Sequence, residues 1–163
     1  MKTVIPAVIG QVPDKKSKVS PTGFPTSVRH LIAYHNPDTM GYEFWECEGF
    51  KVLTNHHYKH LKGDFVWVIG RPRGTESFFL DCRFKVTDMQ SLEDDPDFDL
   101  EVSGTDGFVF YPDRRLNALP WFKRLREINP NFSLGLQVVN DPLVLDGLRA
   151  EYTRNVSLQS SGH

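Results

Sequence analysis

Three groups of side chains in this sequence have types and spacings that could do chemistry. The densest is Asn55-His56-His57-Tyr58-Lys59-His60. Three imidazoles in five residues can bind a metal, donate to a phosphate, or exchange protons near neutral pH. His56 and His60 share a face only if the segment is helical, and no HExxH arrangement accompanies them. Cys47 and Cys82 stand at no zinc-ligand spacing from this group or from each other, so no metal and no cofactor is expected. The plainer reading is a polar loop ahead of the Gly63-Asp64 turn.

The second group is Arg71-Pro72-Arg73, two guanidiniums held apart by a stiff proline at a predicted hairpin tip. That arrangement suits phosphate oxygens or the edge of a base. The third is aromatic: Tyr42, Phe44 and Trp45 precede the tip, Trp67 lies between, and Phe108, Phe110 and Tyr111 follow. An extruded base needs flat faces to stack on and one or two polar groups for its edge. Together these groups give a candidate nucleic-acid site of Tyr42, Trp45, Asn55, His56, His57, Lys59, Trp67, Arg71 and Arg73. Tyr42 and Trp45 have acidic neighbours, Glu43 and Glu46, which marks their segment as partly exposed. No Gly-rich phosphate loop, G-x-S-x-G elbow or Ser-His-Asp order is present, so no catalytic residue is assigned.

Charge does not exclude a polyanionic partner. The formal charge is −2, yet six carboxylates and no Lys or Arg lie between Glu93 and Glu101; set those six aside and the remainder carries +4. The acidic run lacks EF-hand offsets, because Pro96, Phe98 and Leu100 interrupt it, and it reads as a solvated loop.

The elements that must position these groups follow from hydrophobic period. With 163 residues, 39% of them hydrophobic, the chain can bury one core. Residues 1–27 read as an extended leader: Val4–Gly10 is too short and too close to Lys15 and Lys16 for a secretory signal, and the stretch that follows is rich in Pro and Lys. Residues 28–154 form the domain and residues 155–163 a polar, fraying tail. Val28–His35 reads as a first strand. Phe65-Val66-Trp67-Val68-Ile69, apolar at every position, reads as a central strand buried on both faces. Phe78, Leu80, Cys82, Phe84 and Val86 alternate with Asp81, Arg83 and Lys85, which predicts that the first set enters one core and the second points away. Pro120 and Asp141-Pro142 mark the starts of two helices, the second with Leu143, Leu145, Leu148 and Tyr152 as its apolar stripe. The fold class is therefore α+β, a bent antiparallel sheet with short flanking helices. Two cysteines and no span of ~20 apolar residues fit a reduced, cytoplasmic setting and no membrane partner.

Lys62-Gly63-Asp64-Phe65-Val66-Trp67-Val68-Ile69-Gly70, followed by the strand through Leu80-Asp81-Cys82-Arg83-Phe84-Lys85-Val86, resembles the centre of PUA-like domains, especially the EVE type. The resemblance covers about a third of the chain. It implies a half-barrel that binds RNA or modified DNA, in some members by taking a flipped base into an aromatic pocket, as in the reading modules of modification-dependent restriction enzymes. The partners it implies are nucleic acid and a separate effector nuclease, in bacterial-type defence. Gly49-Phe50-Lys51 begins the G-x-K-x-x-E-x-R pattern of the ASCH branch, but Asn55 onward supplies neither the Glu nor the Arg, so that branch's catalytic assignment does not carry over. Two other classes stand beside this reading: a small hydrolase or nuclease using His56, His57 and His60, and an interaction protein whose Glu93–Glu101 loop imitates phosphate charge.

Overall fold

The computed structural model describes residues 28–46, 48–55, 58–130 and 136–161, so the expected leader lies outside the described residues. In chain order the elements are β1 (His30–His35), α1 (Pro37–Met40), a 3-10 turn (Phe44–Glu46), β2 (Phe50–Thr54), β3 (Phe65–Gly70), β4 (Phe79–Ser91), β5 (Leu100–Val109), α2 (Pro120–Ile128), β6 (Gln137–Val139) and α3 (Pro142–Ser161). The strands form one sheet in the order β2-β5-β4-β3-β1-β6.

The sheet is mixed, which corrects the antiparallel expectation. β1 and β3 are parallel, with His30 opposite Phe65, while every other neighbouring pair is antiparallel. After β1 the chain crosses to the far edge, lays down β2, and only then returns to form β3 beside β1. A crossover of that length is what a parallel pair requires.

Four strand spacings separate β2 from β1, about 19 Å in a flat sheet. Yet Ala33–His35 and Lys51–Leu53 line the same crevice, with Tyr42 and Phe44. The sheet therefore curves, and among the described residues it stays open, because β2 pairs only with β5.

β3 is buried on both faces, as its uninterrupted apolar sequence requires. Trp67 and Ile69 join Ile32, Phe122, Leu125 and Leu148 beneath the helices. Val66 and Val68 join Leu31, Leu61, Phe84 and Val102 in a second core on the opposite face.

β4 does not keep its predicted alternation. Val68 pairs with Cys82 but Ile69 pairs with Leu80, leaving Asp81 as an extra residue in a β-bulge. One inserted residue reverses which face each later side chain meets. Phe78 and Leu80 consequently enter the helix-side core, and Cys82, Phe84 and Val86 enter the second. Arg83, expected to point away, lies on the helix side among Phe65, Trp67 and Tyr152.

α2 starts at Pro120, as expected, and buries Trp121, Phe122 and Leu125. Asp141 caps α3, its Oδ1 accepting from the N–H groups of Leu143 (3.0 Å) and Val144 (3.2 Å). Val144 rather than Leu143 occupies the core, Leu143 being 50% exposed. α3 continues to Ser161, so the segment expected to fray from Asn155 is helical, and Asn155 is itself buried. Among the described residues no helix is long and apolar enough to cross a membrane.

Candidate functional site

The bulge that divides β4 between two cores also sets Asp81 apart. Its carboxyl lies against Gly70, the last residue of β3, where a Cβ would stand 2.2 Å from Asp81 Oδ2. Its main chain is held by the Phe110 N–H, which donates to Asp81 O at 3.1 Å. Among the described residues no hydrogen-bond donor reaches the carboxyl. It faces a cleft of about 480 Å³ between Phe44 and Phe50 on one side and Val109, Phe110 and Tyr111 on the other, with Asp113 at the wall.

Burial and the charges of Asp113 and Glu43 together push the Asp81 carboxyl up to about 7. Desolvation is the largest cause, because a low-dielectric setting without donors disfavours the anion. Asp113 is also raised, again chiefly by burial. At neutral pH Asp81 is thus poised between a neutral acid, which both donates and accepts, and a carboxylate, which only accepts.

One cleft wall, the end of β5 and the loop after it, is braced from behind by α3. Asn155 Oδ1 accepts from the Tyr111 N–H (2.9 Å), and its Nδ2 donates to Pro112 O (2.6 Å). Arg114 forks onto the buried Glu151, donating from Nε to Oε1 at 3.2 Å and from Nη2 to Oε2. Gln159 donates to Val109 O at 2.8 Å. On the other wall Glu43 accepts from the Arg73 N–H at 3.0 Å, which ties the turn after β3 to the cleft rim. Tyr111, 74% exposed, is a flat ring available at the mouth.

The structure separates the residues that the sequence groups together. Trp67 is 1% exposed and donates from Nε1 to His30 Nδ1 at 3.0 Å, so it packs in the core and offers no face to a base. Arg71 donates to Tyr34 Oη (3.2 Å) and Thr75 O (2.7 Å) and pairs with Asp38 at 3.4 Å, which makes it a brace of the turn. Arg73 is exposed, with Nη2 3.3 Å from Pro37 O. Asn55 clamps the acidic loop, donating to Asp97 O and accepting from the Asp99 N–H, both at 2.9 Å. Tyr42 packs on His35, ring centres 5.4 Å apart, and Lys59 is exposed. His56, His57 and the Trp45 side chain lie outside the described residues. Among the described residues no group of three or more His, Cys, Asp or Glu is placed to hold a metal.

Asp81, Asp113 and Phe50 are site residues that sequence reading missed. The usable signal was a lone carboxylate between Leu80 and Cys82, opposite a glycine that ends an otherwise apolar strand. Compared with known proteins, the chain matches no family model, no curated protein and no solved structure.

Proposed function

We propose that this protein is a nucleic-acid-binding module that takes a modified or flipped base into the Asp81 cleft, on a bent sheet of PUA-like, EVE-type design. The observation that carries the reading is Asp81 itself, a carboxyl without a hydrogen-bond partner among the described residues in an aromatic-walled cleft. Phe44, Phe50, Phe110 and Tyr111 supply flat apolar surface, and a neutral Asp81 supplies a donor and an acceptor side by side, the pattern on a base edge. Arg73, exposed beside Glu43, would meet a backbone phosphate. Catalysis has no part in this reading, and an effector nuclease acting on the bound strand would be a separate chain.

A second reading rests on a specific observation. Two further carboxylates, Asp113 and Glu43, sit close enough to Asp81 to add to the upward push on its carboxyl. With aromatic walls they also suit an organic cation such as a methylated amine. One titration separates the two, using short oligonucleotides with and without modified bases and a trimethylammonium compound, each at pH 6 and pH 8. A base bound by neutral Asp81 binds more tightly at pH 6, whereas a cation binds more tightly at pH 8. Loss of oligonucleotide binding in Asp81→Ala and Tyr111→Ala, with Arg71→Ala retained, is the expected result. Oligonucleotide affinity unchanged in both cleft variants would end the base-pocket reading.

A further inference from the structure

On the helix side of the sheet, Arg83 is a cation without a counter-charge. Its guanidinium carbon stands 4.0 Å from the centre of the Tyr152 ring, 4.6 Å from Phe65 and 5.5 Å from Trp67. Nε is enclosed and has no hydrogen-bond partner. Among the described residues no carboxylate pairs with Arg83. Rings stacked on a guanidinium cover its faces, not its edges, so the terminal Nη groups remain for a ligand.

Two further groups converge there. His30 stacks on Phe65 (5.9 Å, 14°), and its Nδ1 accepts from Trp67, so the neutral ring carries its proton on Nε2. Arg149, exposed on α3, stands three residues before Tyr152, whose ring covers Arg83, so one face of the helix carries both; with Arg83 it disfavours the imidazolium of His30, after burial itself. Among the described residues Asp64 alone acts on His30 from the other direction, and Arg29 already engages it at 2.8 Å. Among the described residues Arg149 has only a long, exposed pair with Asp146 at 3.6 Å.

We infer that Arg83, Arg149 and the His30 Nε2–H form a phosphate-binding site on the α3 face of the sheet. Two guanidiniums and a neutral N–H donor match a multiply charged oxyanion, and Arg forks bind phosphate oxygens with charge-assisted hydrogen bonds. The site is distinct from the Asp81 cleft. It lies at the Phe65 end of β3, roughly 16 Å along the strand from Gly70, and on the helix side, so either site can fail without the other.

The test uses the full chain and inorganic phosphate at constant ionic strength, with chloride and acetate as controls, read by NMR at the Arg83 Nε–H and the His30 ring. Phosphate should shift both signals in a saturable way. Arg149→Gln, an exposed change that spares the fold, should weaken binding at least tenfold, and Arg83→Lys should abolish it while Tyr152 and Trp67 shifts report an intact core. A second arm replaces phosphate with a short unmodified oligonucleotide. Competition, with a salt slope reduced by about one in Arg149→Gln, identifies a nucleic-acid backbone as the source. Binding of phosphate without competition identifies a free or small-molecule phosphate. Shifts no larger than those from chloride, equal affinity for acetate, or unchanged phosphate affinity in Arg149→Gln would overturn the site.

Discussion

Gly70 and Asp81 occupy one place that neither could share with a larger neighbour: a Cβ on Gly70 would stand 2.2 Å from Asp81 Oδ2. Gly70 is buried at the end of β3, and the missing side chain is what admits the bulged carboxyl. Gly70→Ala should therefore turn Asp81 out of its position. The expected readouts are a destabilisation of about 1–3 kcal/mol and an Asp81 titration, followed at its carboxyl carbon by NMR, that moves down toward ordinary aspartate. An unchanged titration midpoint would show that the carboxyl is not held by this contact.

Asp81 also makes stability depend on pH, with a definite sign. Its folded pKa is raised from 3.8 to about 7. Below pH 4 both folded and unfolded states hold the proton and no penalty exists. As pH rises from 4 toward 7 the unfolded chain releases the proton and the folded one keeps it, so stability falls and then levels off. The full penalty is of the order of 4 kcal/mol. Asp81→Asn, neutral at every pH, should remove most of that slope and raise stability at pH 8 in urea denaturation. A variant that is less stable than the parent at pH 8 would contradict the assignment.

Asn155 bonds both to Tyr111 N–H and to Pro112 O from a position only 2% exposed. Asn155→Ala leaves these groups short of a partner and should cost about 2–3 kcal/mol. Amide exchange should quicken first at Tyr111 and Asp113. Thermal and denaturant midpoints equal to the parent would show that the loop holds its place without α3.

Arg71 and Arg73 should separate cleanly. Arg71→Ala removes three contacts that tie the turn to itself, to β1 and to α1 and should lower stability by about 1–2 kcal/mol, with little effect on the salt dependence of oligonucleotide binding. Arg73→Ala should leave stability within about 0.5 kcal/mol and reduce that salt dependence. The reverse assignment of the two effects in paired melting and salt titrations would refute the division.

Period and punctuation alone determined much of this protein. The all-apolar run of β3 required cover on both faces, the proline and aspartate starts located α2 and α3, and the first strand ended where Asn36-Pro37 begins α1. These are local properties, settled by side chains within a few residues of one another. Polarity does not mean exposure near the C-terminus, where Asn155 and Glu151 are polar residues buried against the loop after β5.

Only the tertiary structure decided the parallel pairing of β1 with β3, the division of β4 between two cores, and the site. Alternation in Phe78–Val86 is equally compatible with a straight strand and with one extra residue, because a bulge changes the partner strand's register and leaves the sequence pattern untouched. Asp81 and Arg83 both read as outward-facing; the bulge sends one to a cleft beside Gly70 and the other among Phe65, Trp67 and Tyr152. Which polar side chain is solvated and which is held without a partner depends on what packs opposite it. Those neighbours come from strands and a helix as far as 69 residues away along the chain, Tyr152 from Arg83.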